Sequence, residues 1–444
     1  MTDPRRIQRS LSHALEAAED ASPVEALESV TRELGLALGA VSVSFLIADL
    51  SGRALVRMAH VPLDDGPDGG DRTVRDGARR GERHLAEESA TVLPFDGGPA
   101  EQAIRTQTVQ VLSPGARDAP PLWTVLAPVT ERGESIGLLE MRLPEEPDER
   151  SRAEIARAAH VLAYVVIANR RHTDLFEWGQ RTRPFTLSAE IQRRLLPSSF
   201  TCEAGSFTLS AWLEPAASIG GDTFDYSQAR DALHLSLTDA MGHGVASALT
   251  AGLCLGSLRN SRRRGASLLE QATTCNAELA EFAGDSGSEG YVTGLLGRVD
   301  LATGQLALVN AGHIAPFLER GGAVTQIELP PDLPLGLFPD SAYRVATRPL
   351  QRGDRLVLVT DGMLERNAAA FSIVHAIKET RSLHPREVVR ELADRVLEMT
   401  GLALADDATL LVLDWHGLHD EDRSADAGSD MSRASAPLPE AIRR

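Results

Sequence analysis

Ala232-Leu233-His234-Leu235-Ser236-Leu237-Thr238-Asp239-Ala240-Met241-Gly242-His243-Gly244 decides how the second half of this chain is read. Ala232–Thr238 reads as an apolar strand that ends in Asp239, and Val245–Leu258 beyond the glycines reads as a helix. An aspartate at the end of an apolar strand, with glycine close behind, presents a carboxylate at a sheet edge without bulk around it. Working outward, acidic stations of the same kind recur. Gly220-Gly221-Asp222-Thr223-Phe224-Asp225 lies upstream. Thr360-Asp361-Gly362 closes the strand Arg355–Thr360, and Asp406-Asp407-Ala408-Thr409 opens the strand Thr409–Asp414. Asn310-Ala311-Gly312-His313 falls between the second and third stations. Brought together, such edges make an all-oxygen site, the environment that hard divalent cations prefer.

Further strands are expected at Phe207–Leu213, Tyr291–Val299 and Gln305–Asn310, with a helix at Arg386–Met399. Strands that follow one another without intervening helices imply antiparallel pairing, so the fold class is α+β rather than a doubly wound sheet. Each acidic station alone has a plainer explanation. Asp before Gly is a common turn, Asp406-Asp407 a solvated loop, and Asp239 a cap for the helix near Val245. Their order along one chain favours a shared site.

In that order the stations resemble the bacterial SpoIIE/RsbU-type branch of the PPM (protein phosphatase 2C-like) serine/threonine phosphatases, over residues 186–415. The resemblance implies an antiparallel β-sandwich flanked by helices, with two Mn²⁺ or Mg²⁺ ions at one end. It assigns Asp239 as the bridge between the metals and the carbonyl of Ala240 as the ligand beside it. Asp361 becomes a ligand of one metal, and Asp239 and Asp361 the catalytic pair. Asp406, by its spacing to Thr409, is the last metal aspartate, with Asp407 as second choice. Asp222 binds metal directly or through water, and Asp225 is a support or part of a third, looser site. Phosphomonoester hydrolysis by two cations about 4 Å apart asks a protein for carboxylates and little else. The chain departs from eukaryotic relatives at Met241, where they carry a histidine proposed as general acid; the bacterial branch shares the departure. His243 and His313 read as loop-shaping residues.

At 444 residues the chain is too long for one core, and its 43% hydrophobic and 24% charged content is that of a globular protein. The formal charge of -18 argues against nucleic acid or an anionic membrane as main partner. The longest apolar run, Val161–Ala168, is far short of a membrane span, and the residues after Met1 lack a signal-peptide pattern. Three cysteines, Cys202, Cys254 and Cys275, show no metal-ligand spacing, which fits a reduced cytoplasmic compartment.

Residues 1–20 read as an N-terminal helix or tail. Residues 21–148 give a helix over Ala26–Ala40, then strands at Val41–Ala48, Trp123–Val129 and Ser135–Arg142, with a turn-rich stretch at 61–90. This segment resembles a GAF sensory domain, carried by Leu126-Ala127-Pro128-Val129 and Gly137-Leu138-Leu139-Glu140, and leaves room for a small apolar ligand. Residues 149–197 read as a helical linker or switch interrupted at Pro184. Its Ile155, Leu162, Val166, Ile191 and Leu195 face either a partner helix in a homodimer or the chain's own sensory domain. The phosphatase-like domain follows at 198–415, and 416–444 is polar and expected to be disordered.

Family resemblance implies a phosphorylated anti-anti-sigma (STAS) protein as substrate. Two other readings compete. A catalytically silent scaffold that binds a phosphoprotein would be marked by lost carboxylates, and none is lost. A nucleotide cyclase is suggested by Gly220-Gly221-Asp222-Thr223-Phe224, but Thr223 stands where an acid is needed.

Overall fold

The computed structural model describes residues 13–49, 54–63, 92–95, 97–115, 120–180, 186–215, 220–286, 290–364, 372–401, 404, 406–418, 423 and 425–438. They fall into two compact units, Met1–Pro184 with Ser424–Arg444, and Phe185–Arg423. Pro184 and most of the turn-rich stretch 61–90 lie outside the described residues.

In the first unit six strands, β1 (Ser42–Ala48), β2 (Ala54–Pro62), β3 (Val92–Pro94), β4 (Gln110–Leu112), β5 (Trp123–Glu131) and β6 (Glu134–Leu143), form one antiparallel sheet in the order β3-β2-β1-β6-β5-β4. Alternation along the strands divides its two faces. Val43, Phe45, Ile47, Val125, Ala127 and Val129 meet helices α1 (Ala26–Leu38) and α3 (Glu149–Asn169). Leu46, Leu126 and Leu138 meet α2 (Pro99–Thr106) on the other face. Arg132 and Gly133, both at positive φ, make the two-residue turn between β5 and β6.

Helix α3 starts at Asp148, whose carboxylate accepts from the Ser151 amide at 2.8 Å. It buries Ile155, Leu162 and Val166 in the first unit's own core, and Phe176 of the short helix α4 (Leu175–Gly179) joins them. Of the expected stripe, Ile155, Leu162 and Val166 are thus covered by their own domain, while Ile191 and Leu195 belong to the second unit. Helix α5 (Leu187–Leu195) belongs to the second unit, so the stretch 149–197 is divided between the two units.

The second unit has two antiparallel sheets. One runs β15 (Ala346–Pro349), β12 (Gln305–Ala311), β11 (Val292–Asp300), β10 (Ala232–Ala240), β9 (Asp222–Gln228). The other runs β14 (Ala323–Gln326), β13 (Phe317–Arg320), β16 (Arg355–Val359), β17 (Ala408–Trp415), β8 (Phe207–Glu214), β7 (Thr201–Glu203). Leu233, Leu235 and Leu237 of β10 share one core with Leu356 and Leu358 of β16 and Leu411 and Leu413 of β17, so the sheets meet through these faces. Each such leucine contributes about 1.5–3 kcal/mol by leaving water. The opposite faces are covered by helices. Ala240, Leu296 and Val309 pack under α6 (Val245–Arg263) and α7 (Leu268–Ser286). Val357, Val359, Leu410 and Val412 pack under α8 (Ile373–Glu379) and α9 (Pro385–Met399).

Residues 425–438, within the stretch expected to be disordered, carry a short hairpin pairing Ala425–Asp426 with Ser429–Asp430, and they belong to the first unit. Their order comes from packing that composition does not register. No helix among the described residues is long and apolar enough to cross a membrane.

Candidate functional site

The acidic stations gather where the inter-sheet core runs out. Leu233, Leu235 and Leu237 face the second sheet, so Asp239, two residues on, faces the same way. Asp222 stands directly opposite it on β9, and Phe224, two residues along from Asp222, is in the inter-sheet core. Across the gap, Thr360 follows the inward Leu358 and Thr409 precedes the inward Leu411 by the same parity. Both hydroxyls donate to Asp222 Oδ2, at 2.7 and 2.5 Å. The apolar layer therefore ends in two facing carboxyls on one sheet and two hydroxyls on the other. Asp361 opens the 3-10 turn Asp361–Leu364 after β16, and Asp406 and Asp407 precede β17.

The first two stations approach closely because Gly220 and Gly221 carry no side chain. A Cβ on Gly221 would lie 2.5 Å from the Ala240 carbonyl oxygen, and one on Gly220 would lie 3.0 Å from Ser188 Cβ. The Ala240 amide donates to the Gly221 carbonyl at 3.1 Å.

Electrostatically the site is overloaded with negative charge. Burial, then Asp239 and Asp407, hold the Asp222 carboxyl well above its ordinary range, and the two threonine hydroxyls only partly oppose this. Burial, then Asp361, Asp406 and Asp407, push Asp239 up to about 7, with a hydrogen bond to Asp222 acting the other way. The arginines on the outer face of β9 are engaged elsewhere. Arg259 and Arg262 hold Asp225 at 2.8 and 2.9 Å. An oxygen donor set whose burial and mutual repulsion raise its own carboxyl pKa values fits hard divalent cations. Among the described residues, no three His, Cys, Asp or Glu side chains meet in a finished ligand shell. The carboxylates are assembled around the site, with Asp222 turned into hydroxyls.

Asp225 faces away from this end. It alternates with the inward Phe224 and lies on the α6 side of the sheet, bound by two guanidiniums, so a place in a third metal site is not supported. Asp407 Oδ2 accepts from Gln192 at 2.7 Å, the Gly221 amide at 3.1 Å and the Asp222 amide at 3.4 Å. Asp406 is half-buried, and its Oδ1 accepts from the Asp407 amide at 2.8 Å. His313 is half-buried, and the desolvation of its ring lowers its pKa to about 4, so it is neutral at physiological pH. Its Nδ1 bonds the Thr293 hydroxyl at 2.8 Å, and Asn310 brackets its backbone with bonds of 2.7 and 3.0 Å. Thr293 is in turn paired with Asp239 on the neighbouring strand. His243 is exposed beside exposed Met241.

Gln192 is the site residue that sequence reading missed. It is 1% exposed, and its amide donates both to Asp407 and to the Asp222 carbonyl, at 2.8 Å. The same helix ends at Leu195, whose carbonyl accepts from Arg259 at 2.8 Å.

With the two sheets and their acidic end in view, comparison with known proteins is informative. Residues 229–416 match the family described as Stage II sporulation protein E (SpoIIE). Among individual proteins, the chain is 22% identical over 217 residues to the phosphoserine phosphatase RsbP of Bacillus subtilis, covering 48% of this chain and 52% of RsbP. It is 23% identical over 233 residues to the phosphoserine phosphatase RsbU of the same organism, covering 51% of this chain and 68% of RsbU. A solved structure of RsbU and RsbW domains from Mycobacterium tuberculosis aligns with a TM-score of 0.42 at 23% identity, over 49% of this chain and 62% of that one. The chain thus spans about half the length of RsbP, the first of these relatives.

Proposed function

We propose that this protein is a Mn²⁺- or Mg²⁺-dependent serine/threonine phosphoprotein phosphatase with its active site at the acidic end of the two sheets. The observation that carries the reading is Asp222 facing Asp239 where the inter-sheet core stops, with no cation of the described residues among the causes that set their pKa values. Asp222, Asp239, the Ala240 carbonyl, Asp361 and Asp406 would hold two ions. The ions, when bound, would neutralise the phosphoryl oxygens and activate water as the nucleophile. Asp239 and Asp361 would stand nearest that chemistry, as the resemblance implies. Thr360 and Thr409 keep Asp222 oriented, and Gln192 with the Gly221 amide fixes Asp407; Asp406 would reach an ion, as its spacing to Thr409 suggests.

The names of RsbP and RsbU support a phosphoserine substrate. Family resemblance points further, to a phosphorylated anti-anti-sigma protein of the STAS type. The antiparallel sheet of the first unit, with helices on both faces, supports a GAF-like sensory role, acting on the site through α5. A silent scaffold that only holds a phosphorylated partner is the competing reading, and the raised carboxyls of Asp222 and Asp239 argue against it.

Hydrolysis of p-nitrophenyl phosphate with and without Mn²⁺, by wild type and Asp239→Asn, tests the proposal. Mn²⁺-dependent turnover that disappears in the variant is expected. Silence from the full chain toward this ester and toward a phosphorylated STAS protein would move the scaffold to first place.

A further inference from the structure

The stretch beyond the last strand of the second unit does not trail away. Residues 425–438 lie past the family match, which stops at 416, and pack into the first unit. The Gly133 amide, in the turn between β5 and β6, donates to the Gly428 carbonyl at 3.0 Å. Gly428 has φ +95, and a Cβ there would run into the Thr130 carbonyl and the His160 ring, so this approach admits only glycine. His160 Nδ1 itself bonds that Thr130 carbonyl at 2.7 Å, which fixes the wall against which Gly428 lies.

On α2 a second set of contacts takes the end of the segment. Arg105 Nε donates to the Ala436 carbonyl at 2.8 Å, and the Leu438 amide donates to Gln102 Oε1 at 3.1 Å. Gln102 is a buried glutamine, and that oxygen is met by the segment. Ser429, Asp430 and Ser435 are 2%, 4% and 3% exposed, which a loosely adsorbed tail would not reach.

The segment also carries its own staples. Asp430 accepts from the Ser432 amide and hydroxyl at 3.1 and 2.6 Å and pairs with Arg433 at 3.1 Å. Such local bonds reduce the ordering cost of docking a short peptide.

We infer that the β5–β6 turn and α2 of the first unit form a peptide-recognition surface whose ligand is this chain's own segment 425–438. The second unit is thereby an insertion, joined covalently to the first unit before it at Pro184 and after it at Ser424. The surface reads backbone carbonyls and amides at Gly428, Ala436 and Leu438, with glycine required at 428. This inference is independent of the phosphatase reading.

Hydrogen exchange on the full chain tests it, with Gly428→Ala and Arg105→Ala disturbing the two ends of the surface separately. Exchange at the Gly133 amide and across 429–438 is expected to rise about tenfold or more, the change produced by a loss of about 1.4 kcal/mol. The Leu138 and Leu139 amides, inside β6, should stay protected. Unchanged exchange at Gly133 and 429–438 in both variants would overturn the inference. So would a rise spread evenly over β5 and β6 in Gly428→Ala with none in Arg105→Ala, since that is strain in the sheet and not release of a ligand.

Discussion

Gln192 and Asp407 are 215 positions apart and share a buried hydrogen bond of 2.7 Å. The same amide nitrogen donates to the Asp222 carbonyl, so one side chain of α5 ties together the first and last acidic stations. Gln192 thereby wires the helix that opens the second unit to the site.

Gln192→Ala removes that donor and leaves a buried carboxylate with fewer partners, at a cost of about 1–3 kcal/mol. The expected outcome is a lower thermal midpoint and a higher Mn²⁺ concentration for half-maximal stabilisation. Calorimetric titration of Mn²⁺ checks it without relying on turnover. An unchanged Mn²⁺ affinity would reduce Gln192 to a packing role.

The raised pKa values give the metal-free chain a pH dependence of definite sign. Asp239 titrates near 3.8 in an unfolded chain and at about 7 in the folded one, and Asp222 is shifted the same way. The stabilisation this brings is complete below the unfolded value and is lost as pH rises through about 7. In EDTA, the urea midpoint should therefore fall between about pH 5 and about pH 8. Mn²⁺ should remove the fall, because bound cations favour the charged carboxylates, and Asp239→Asn should flatten it without metal. A midpoint that climbs over this interval in EDTA would contradict the site electrostatics.

Asp225→Asn separates structure from metal binding. It leaves Arg259 and Arg262 facing a neutral amide under α6, and breaking a buried ion pair costs about 3–5 kcal/mol. The variant should melt earlier while keeping its Mn²⁺ stoichiometry. Loss of one bound Mn²⁺ per chain, by equilibrium dialysis, would restore Asp225 to the metal site.

The parts of this fold that were legible in sequence are those written in short periods. Leu233, Leu235 and Leu237 alternate, and the strand they define carries Asp239 to the inward face. The same parity places Asp225 outward, beside arginines that sequence alone could not bring there, because Arg259 and Arg262 arrive from a separate helix. Helix α7 went unnamed although Leu268, Ala272, Cys275 and Leu279 are buried at helical spacing, since small residues and cysteine give a weak apolar stripe. Gln192 was invisible for another reason. Its partners are 30 and 215 positions away, and a glutamine in an amphipathic helix reads as surface until its burial is known. The ordering of 425–438 likewise rests on contacts with Gln102, Arg105 and Gly133, far upstream in the chain.

Gly220→Ala addresses how α5 is seated. The new methyl would meet Ser188 Cβ at 3.0 Å and the Ser188 carbonyl oxygen at 3.2 Å, so the helix must give by a few tenths of an ångström or the strand must move. Ser188 and Gln192 are one turn apart on α5, so a push at the first displaces the second from Asp407 and the Asp222 carbonyl. Gly→Ala at a compatible φ otherwise stabilises by about 0.4–1 kcal/mol through the unfolded chain, which offsets part of the strain. The expected variant is therefore near wild type in thermal midpoint but weakened in Mn²⁺ affinity, in the same direction as Gln192→Ala. Combining the two substitutions should weaken affinity by less than the sum of their separate effects, because both act through one hydrogen-bonded group. Fully additive losses would show that Gly220 and Gln192 reach the site by separate routes.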